Sequence, residues 1–333
     1  MHFLIGARRY MENSYEYDVT IILVNFNTSK LTHAVVDSII AQSKEFLFEI
    51  IIIDNSCNSN EFNRLSDLSN ECTIINSKSN LGFGNANNLG ATMARGKYLF
   101  FLNTDTCLVG NAIFELKKYL DKYLNVGIVG SNLITRSKSP NFSYCEFEKN
   151  LPNEKKENSL FRQLNCRIFH KNTYFNFTSM PKEIFGFVSG ASLMIRKECF
   201  DYLNGFSPKI FMYGEDALLC FRLRHELQKK IINVPSSIII HFDGGSNNEN
   251  LDSASIKRHF LMAADGNYLY YKYAFNDKVA LKYLKYYSFY YQRLSFVFAL
   301  FFNFKKVKKY LMAKKIFKDK YSRQKMKAKT NRH

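Results

Sequence analysis

Three small polar clusters and one histidine carry the side chains best suited to chemistry in this sequence. The apolar run Leu99-Phe100-Phe101-Leu102 stops abruptly at Asn103-Thr104-Asp105-Thr106. A continuous apolar run without alternation reads as a buried parallel strand, and the polar residues then mark the point where it leaves the sheet. Ligands of open α/β sheets bind beyond the carboxyl ends of the strands. Oxygen ligands at i and i+2, as at Asn103 and Asp105, can face one hard cation, and Mg2+ is usually held by one or two carboxylates plus substrate phosphates. Asp54-Asn55-Ser56 ends a second apolar run in the same manner, so the two ends together imply a pocket at one sheet edge. Tyr213-Gly214-Glu215-Asp216 places adjacent carboxylates at a helix start, where negative charge is favourable in itself and where a carboxylate can also act as a general base. His241 ends another apolar stretch, before Phe242-Asp243-Gly244-Gly245-Ser246.

The elements that position these residues alternate along the first half of the chain. Strands are expected at 19–24, 49–54, 72–76, 99–102 and 126–130, with helices at 30–42, 85–94 and 111–124 between them. Strands separated by helices of this length imply βαβ units and a mostly parallel, right-handed sheet. From 135 to 182 the pattern fails: polar residues, Pro140, Pro152, Pro181 and scattered aromatics suggest a long irregular excursion, a type of segment often turned toward substrate. Order returns at 185–195, followed by a helix at 216–229, short strands at 231–234 and 238–241, and a helix at 254–275. Gly82 and Gly84 do not open a dinucleotide fingerprint, because position 87 is Asn; they read as turn and packing glycines before a helix.

Taken in order, these motifs resemble the family 2 glycosyltransferases, inverting enzymes of the nucleotide-sugar-binding fold called GT-A, and within them the rhamnosyltransferase-like branch. The resemblance runs from about 19 to 246 and rests on Val24-Asn25-Phe26-Asn27, Asp54-Asn55-Ser56, and the stretch from Asn80-Leu81-Gly82-Phe83-Gly84 to Gly90. It continues through Arg95-Gly96-Lys97-Tyr98, Leu102-Asn103-Thr104-Asp105, Gly190-Ala191, and Gly205-Phe206 with Met212-Tyr213-Gly214-Glu215-Asp216. It implies an α/β fold: a GT-A-like domain with a mostly parallel mixed sheet, plus a C-terminal helical aromatic and basic extension. It also implies donor binding by Asn25, Asp54, Asn55, Gly82, Asn103 and Asp105, with Asp54 on the nucleobase. Asp105, Asn103 and His241 would hold Mg2+ or Mn2+ at the diphosphate. Asp216 would be the general base, Glu215 would orient the acceptor or stabilise the loop, and Gly190 and Ala191 would let an acceptor sugar approach the backbone. One position departs from the family pattern: Leu218 stands where a second acidic residue is usual, while Arg222 is kept.

Composition limits the remaining possibilities. A chain of 333 residues and 38.9 kDa, 46% apolar, can bury one large α/β domain with an extension. Seven scattered cysteines without a Cys-x-x-Cys pair argue against a disulfide framework or zinc site and fit a reducing compartment. Phe3-Leu4-Ile5 before Arg8-Arg9 is too short for a signal-peptide core, and no window is apolar enough to span a bilayer. Of the net charge of +18, residues 305–333 carry +12, with thirteen Lys or Arg against Asp319. An aromatic stretch from 281 to 304 precedes them, a combination suited to an anionic membrane surface.

The expected organisation is a lead-in at 1–17, the catalytic domain at 18–250, a helical region at 251–304 and a polybasic tail at 305–333. The expected function is rhamnosyl transfer from dTDP-rhamnose, or transfer from another nucleotide sugar, to a saccharide or lipid-linked saccharide acceptor. Nucleic acid is not an expected partner, and the expected location is cytoplasmic, peripheral at the inner face of the plasma membrane. A nucleotidyltransferase of similar layout, or a non-catalytic membrane or nucleic-acid binder driven by the tail, are the competing readings.

Overall fold

The computed structural model describes residues 15–42, 45–146, 177–242 and 252–330. The lead-in up to residue 14, most of the irregular excursion (147–176) and the glycines after His241 lie outside the described residues. The first units are β1 (Tyr17–Asn25), α1 (Ser29–Gln42), β2 (Phe48–Asp54), α2 (Ser59–Arg64), β3 (Thr73–Asn76), α3 (Phe83–Met93) and β4 (Gly96–Leu102). Then come β5 (Thr106–Val109), α4 (Ala112–Lys122), β6 (Val126–Ile134), β7 (Tyr144–Glu146), β8 (Lys182–Glu183), β9 (Gly186–Val188) and β10 (Ser192–Arg196). The chain continues through α5 (Lys197–Tyr202), α6 (Glu215–Glu226) and β11 (Lys230–His241) into three C-terminal helices, α7 (Ser253–Ala274), α8 (Asp277–Leu300) and α9 (Phe304–Thr330).

A nine-stranded sheet runs in the order β3-β2-β1-β4-β10-β6-β11-β5, with β8 on the side of β11. The β3-β2-β1-β4 half is parallel, β10 runs against both β4 and β6, and β6 and β11 are parallel again. The α/β, mostly parallel mixed sheet expected from the sequence is therefore present. Its centre reads as unbroken apolar runs because both faces are covered. Ile50 and Ile52 pack with Val35, Val36 and Ile39 of α1 on one face, whereas Ile51 and Ile53 pack with Ala86 of α3 and Phe200 and Phe206 on the other. Each such side chain contributes roughly 1.5–3 kcal/mol on full burial.

Two expectations are corrected by the structure. The strands expected at 231–234 and 238–241 are one 12-residue strand, interrupted by a register shift between Val234 and Ile238. Pro235 supplies no N–H to the ladder, and the residues around it bulge instead of ending the strand. The irregular excursion contains regular structure too: β7 pairs with β9 in a small antiparallel sheet. The short elements β5, α2 and α5 were not foreseen, being too short to establish a period.

The C-terminal extension is helical, and it has its own core. Phe260, Ala264 and Tyr268 of α7, Ala280, Tyr283 and Leu284 of α8, and Ala313, Ile316 and Phe317 of α9 are buried together. Tyr291 stacks on Tyr310 at 6.1 Å, and Phe298 stacks on the same ring at 5.3 Å. The basic segment is thus a helix packed on aromatic neighbours as far as the described residues extend.

Candidate active site

Parallel pairing brings Asn25, Asp54 and Asn76 side by side at the carboxyl ends of β1, β2 and β3. Asn25 Nδ2 donates to Asp54 Oδ1 (2.8 Å) and to Ser56 Oγ (3.1 Å). The side-chain Oδ1 of Asn25 accepts from Thr32 Oγ1 (2.9 Å) and Thr28 Oγ1 (3.1 Å), fixing the start of α1. Asp54 is fully buried; its Oδ1 also accepts the Ser56 hydroxyl at 2.6 Å, while its Oδ2 has no hydrogen-bond partner among the described residues. Asn55, likewise buried, ties down the following loop: its Oδ1 accepts from Leu81 N (2.8 Å), and its Nδ2 donates to Asn80 Oδ1 (3.0 Å). These side chains hold the strand ends and the 77–82 loop in place around one orphaned carboxylate oxygen.

Gly82 completes that loop with φ 79° and ψ 177°, a combination open essentially to glycine alone. A Cβ here would lie 2.1 Å from the carbonyl oxygen of Phe211, which also accepts the N–H of Phe83 at 3.1 Å. Gly82→Ala is therefore expected to destabilise the fold by more than the about 1–3 kcal/mol that such a backbone conformation alone costs. Urea denaturation of the purified variant checks this.

The β4–β5 turn forms the second part of the site. Thr104 Oγ1 lies 3.0 Å from Thr28 Oγ1, joining the ends of β4 and β1. Asp105 Oδ1 lies 3.2 Å from His241 Nε2, and the Asp105 carbonyl accepts the N–H of Phe242 at 2.9 Å. Antiparallel pairing of His241 with Thr106 makes this contact a consequence of sheet register. Asn103 and Asp105 are both half-buried. Among the described residues no three His, Cys, Asp or Glu side chains cluster in a way that could hold a metal ion. An oxygen and an imidazole nitrogen facing each other, with an amide two residues away, nevertheless fit a divalent cation that takes its other ligands from water and phosphate.

Residues 190 and 191 connect this turn to the carboxylates of α6. The backbone N–H of Asn103 donates to Ala191 O at 3.1 Å, and that of Gly190 donates to Asp216 Oδ2 at 3.1 Å. Asp216 Oδ1 accepts from its neighbour Ala217 N at 2.8 Å. A Cβ at Gly190 would lie 3.5 Å from Asp216 Oδ2 and 3.3 Å from the Phe83 ring, so the small residue leaves the carboxylate uncrowded.

The two carboxylates differ in environment. Glu215 is buried, with Oε2 unpartnered among the described residues, and burial followed by the charge of Asp216 pushes its carboxyl up to about 8. Burial raises Asp216 as well, but the N–H groups of Gly190 and Ala217 oppose the rise. Near neutral pH Glu215 therefore keeps its proton. In the folded state Glu215 stays protonated up to about pH 8, whereas the unfolded chain releases this proton near 4.5. Stability from this group is complete below pH 4.5 and is lost as pH rises toward 8. Glu215→Gln removes that loss, so its stability relative to the parent is expected to increase from pH 5 to pH 8; denaturation curves at the two ends measure it.

A third set of contacts was not foreseen from the sequence. Tyr213 adopts φ 71°, a left-handed conformation unusual for a residue with a side chain, immediately before Gly214 at φ 102°. Helix α7 braces this turn. Tyr213 Oη lies 2.8 Å from His259 Nδ1, and a Cβ at Gly266 would lie 2.1 Å from Tyr213 O and 2.3 Å from Met212 O. Burial pushes the His259 imidazole down, with a further contribution from the charge of Lys309. Leu218, the position that departs from the family pattern, is buried with Ile210, Ala217 and Tyr270 of α7. An apolar residue there suits a helix that must pack against the C-terminal extension.

Comparison with known proteins bears on family and fold. Residues 20–197 match the family model described as Glycosyl transferase family 2. Two relatives, both described as an uncharacterized glycosyltransferase of Haemophilus influenzae, are similar in sequence. One is 31% identical over 117 residues, which is 34% of this chain and 36% of the relative. The other is 24% identical over 186 residues, 56% of this chain and 60% of the relative. The chain thus spans less than two thirds of either. Among solved structures, that of GalNAc-T7 with UDP, GalNAc and Mn2+ superposes with a TM-score of 0.54 at 16% identity, covering 77% of this chain and 50% of the other. At that identity the likeness is one of fold, of GT-A type.

Proposed function

The chain belongs to glycosyl transferase family 2, and we propose that it transfers a sugar from a nucleotide sugar to a saccharide acceptor with inversion at the anomeric carbon. One observation carries the reading: Gly190 and Ala191 join the Asn103–Asp105 turn to Asp216, so a donor-diphosphate site and a base lie at one sheet edge. An inverting transfer is a single displacement. The acceptor oxygen attacks the anomeric carbon, the bond from that carbon to the diphosphate breaks, and the acceptor proton passes to Asp216. The Gly190 and Ala217 N–H groups hold the carboxylate in place for that transfer, and protonated Glu215 beside it adds no competing charge. Asp54, with its orphaned buried oxygen, is the acceptor atom suited to a nucleobase ring N–H, and Asn25, Asn55 and Gly82 shape its surroundings.

Asp105 and His241, with Asn103, would hold Mg2+ or Mn2+, which when bound stabilises charge on a diphosphate leaving group. The solved GT-A neighbour binds Mn2+ and UDP, which supports testing both here. For the donor, dTDP-rhamnose is the first compound to test, on the resemblance to the rhamnosyltransferase-like branch. A saccharide or lipid-linked oligosaccharide of a surface polysaccharide is the acceptor class. Among the described residues no helix is long and apolar enough to cross a membrane, and in this reading a lipid-linked acceptor would be met at the surface. The proposal therefore includes peripheral attachment at the inner face of the plasma membrane, with 18–250 as catalytic domain, 251–304 as helical region and 305–333 as a charged segment.

Thermal unfolding of the full chain with a panel of nucleotide sugars tests the reading. A selectively bound donor stabilises by mass action, by about 2.7 kcal/mol at one hundred times its dissociation constant. Protection by one nucleotide sugar together with turnover supports it; no protection by any member of the panel, with and without Mn2+, overturns it.

A further inference from the structure

The end of the C-terminal helical hairpin has an exposure pattern that the catalytic reading does not use. Phe296, Leu300, Phe301, Phe302 and Phe304 follow one another within nine residues and are 60%, 58%, 60%, 80% and 64% exposed. Single exposed apolar residues are ordinary, but a contiguous group of this kind marks an interaction surface. Hydrogen bonds close the turn. Phe302 N donates to Ala299 O and Asn303 N to Phe298 O, both at 3.0 Å, and the Asn303 side chain caps α9 by accepting from Lys306 N at 3.1 Å. The apolar group is thus presented by a fixed turn.

The exposed faces of both helices continue the pattern. On α8, Phe289, Phe296 and Leu300 recur at steps of seven and four, with exposed Arg293 between them. On α9, Phe304, Lys308, Leu311, Lys315 and Lys318 form one exposed row that mixes apolar and basic side chains. The opposite faces already have their partners, since Leu284, Ile316 and Phe317 are buried in the aromatic core. The exposed row is therefore not a core face lacking cover. From 278 to 318 the sequence has eleven Lys or Arg and no Asp or Glu.

We propose that the α8–α9 turn and the faces flanking it dock on an anionic lipid bilayer, with Leu300, Phe301, Phe302 and Phe304 entering the headgroup–acyl boundary. Lysine and arginine stems lie along apolar surface while their charges stay with anionic headgroups. Neither helix can span, so the hairpin lies on the membrane. A nucleic acid would also meet the charge, but five adjacent apolar side chains at the turn offer it no hydrogen-bonding groups. This docking surface differs from a purely electrostatic tail, because part of its binding resists salt. It also stands independently of the catalytic reading, since vesicle binding requires no sugar transfer.

The chain contains no tryptophan, so Phe302→Trp in the full-length protein is a unique fluorescent reporter. With vesicles of phosphatidylcholine and phosphatidylglycerol, its emission is expected to shift to the blue and to be quenched by lipids brominated near the headgroup. Phosphatidylcholine alone should give a much weaker response. A second variant, Phe301→Ser with Phe302→Ser, removes only exposed side chains and should keep the parental melting temperature. Its partitioning to the same vesicles should fall at least about tenfold. Unchanged partitioning of the double variant, or Trp emission unmoved by anionic vesicles, overturns the proposal. So does a blue shift that appears only with an RNA oligonucleotide, or only on raising the protein concentration without lipid, which would assign the surface to nucleic acid or to a second copy.

Discussion

Asp216→Asn is expected to lower turnover by about 10²–10⁴-fold, the usual contribution of a positioned base, while leaving donor affinity nearly unchanged. The substitution keeps the size of the side chain. An amide oxygen can still accept one of the two backbone N–H bonds, from Gly190 at 3.1 Å or Ala217 at 2.8 Å, so the start of α6 should remain folded. Proton acceptance is lost. The same variant separates two roles that one motif could fill. If Asp216 only supplied negative charge to a helix N-terminus, its removal would cost about 0.3–1 kcal/mol of stability and leave chemistry intact. Single-turnover rates and donor binding measured together decide between them. Near-parental turnover with intact donor binding moves the base to another group, with Glu215 the nearest carboxylate. In the parent, activity is expected to rise with pH through the ionisation of Asp216, which burial displaces above the ordinary carboxylate range, and that limb should vanish in the variant.

The strand ends were legible because they are local. Four consecutive isoleucines followed by Asp54, and Leu99 to Leu102 followed by Asn103, report burial on both faces and then an abrupt exit from the sheet. Glu215 and Asp216 were legible for the same reason, as adjacent carboxylates at a helix start. The bridge from Asn103 through Ala191 and Gly190 to Asp216 was not, because it depends on β10 inserting antiparallel beside β4, a crossover that no local period encodes. The division of roles among the strand-end amides was equally hidden. Asn25, Asn55 and Asn103 look alike in sequence, but in the fold Asn25 and Asn55 are buried and spend their polar atoms on neighbouring chain, whereas Asn103 is half-buried.

The brace behind the turn at Tyr213 and Gly214 left one trace. Glycine inside a helix costs about 1 kcal/mol relative to alanine, so Gly266 in the middle of α7 asks for a reason. The reason is the approach of the Met212 and Tyr213 carbonyls, where a Cβ has no room. The C-terminal helices thus reach the site through Gly266, His259 and Tyr270. A boundary drawn between a catalytic domain and a helical appendage runs through contacts that shape the turn before Asp216. The basic character of 305–333 suggested a tail suited to an anionic membrane surface, and charge content hid the role of Ala313, Ile316 and Phe317, whose spacing of three and then one puts them on one buried side of α9.

Asp105→Ala is expected to abolish tight binding of Mn2+ and to remove most turnover, at least about 100-fold, because a bound metal supplies several kcal/mol of charge stabilisation at a leaving group. The backbone carbonyl of Asp105, not its side chain, accepts the N–H of Phe242, so the β4–β5 turn should survive the substitution. What disappears is the oxygen 3.2 Å from His241 Nε2. Imidazole and an amide oxygen alone are a weak pair for a hard cation, which prefers carboxylate. Titration calorimetry with Mn2+ and UDP reads the loss directly, without reliance on activity. Asp216→Asn provides the complementary control: it should bind Mn2+ and nucleotide as the parent does and still be slow. Two variants at one sheet edge, one losing the metal and the other only the rate, would assign diphosphate binding and proton acceptance to separate residues. Full activity in excess chelator, or unaltered Mn2+ binding by Asp105→Ala, would remove Asp105 from the metal and leave its contact with His241 as a structural link between β5 and β11.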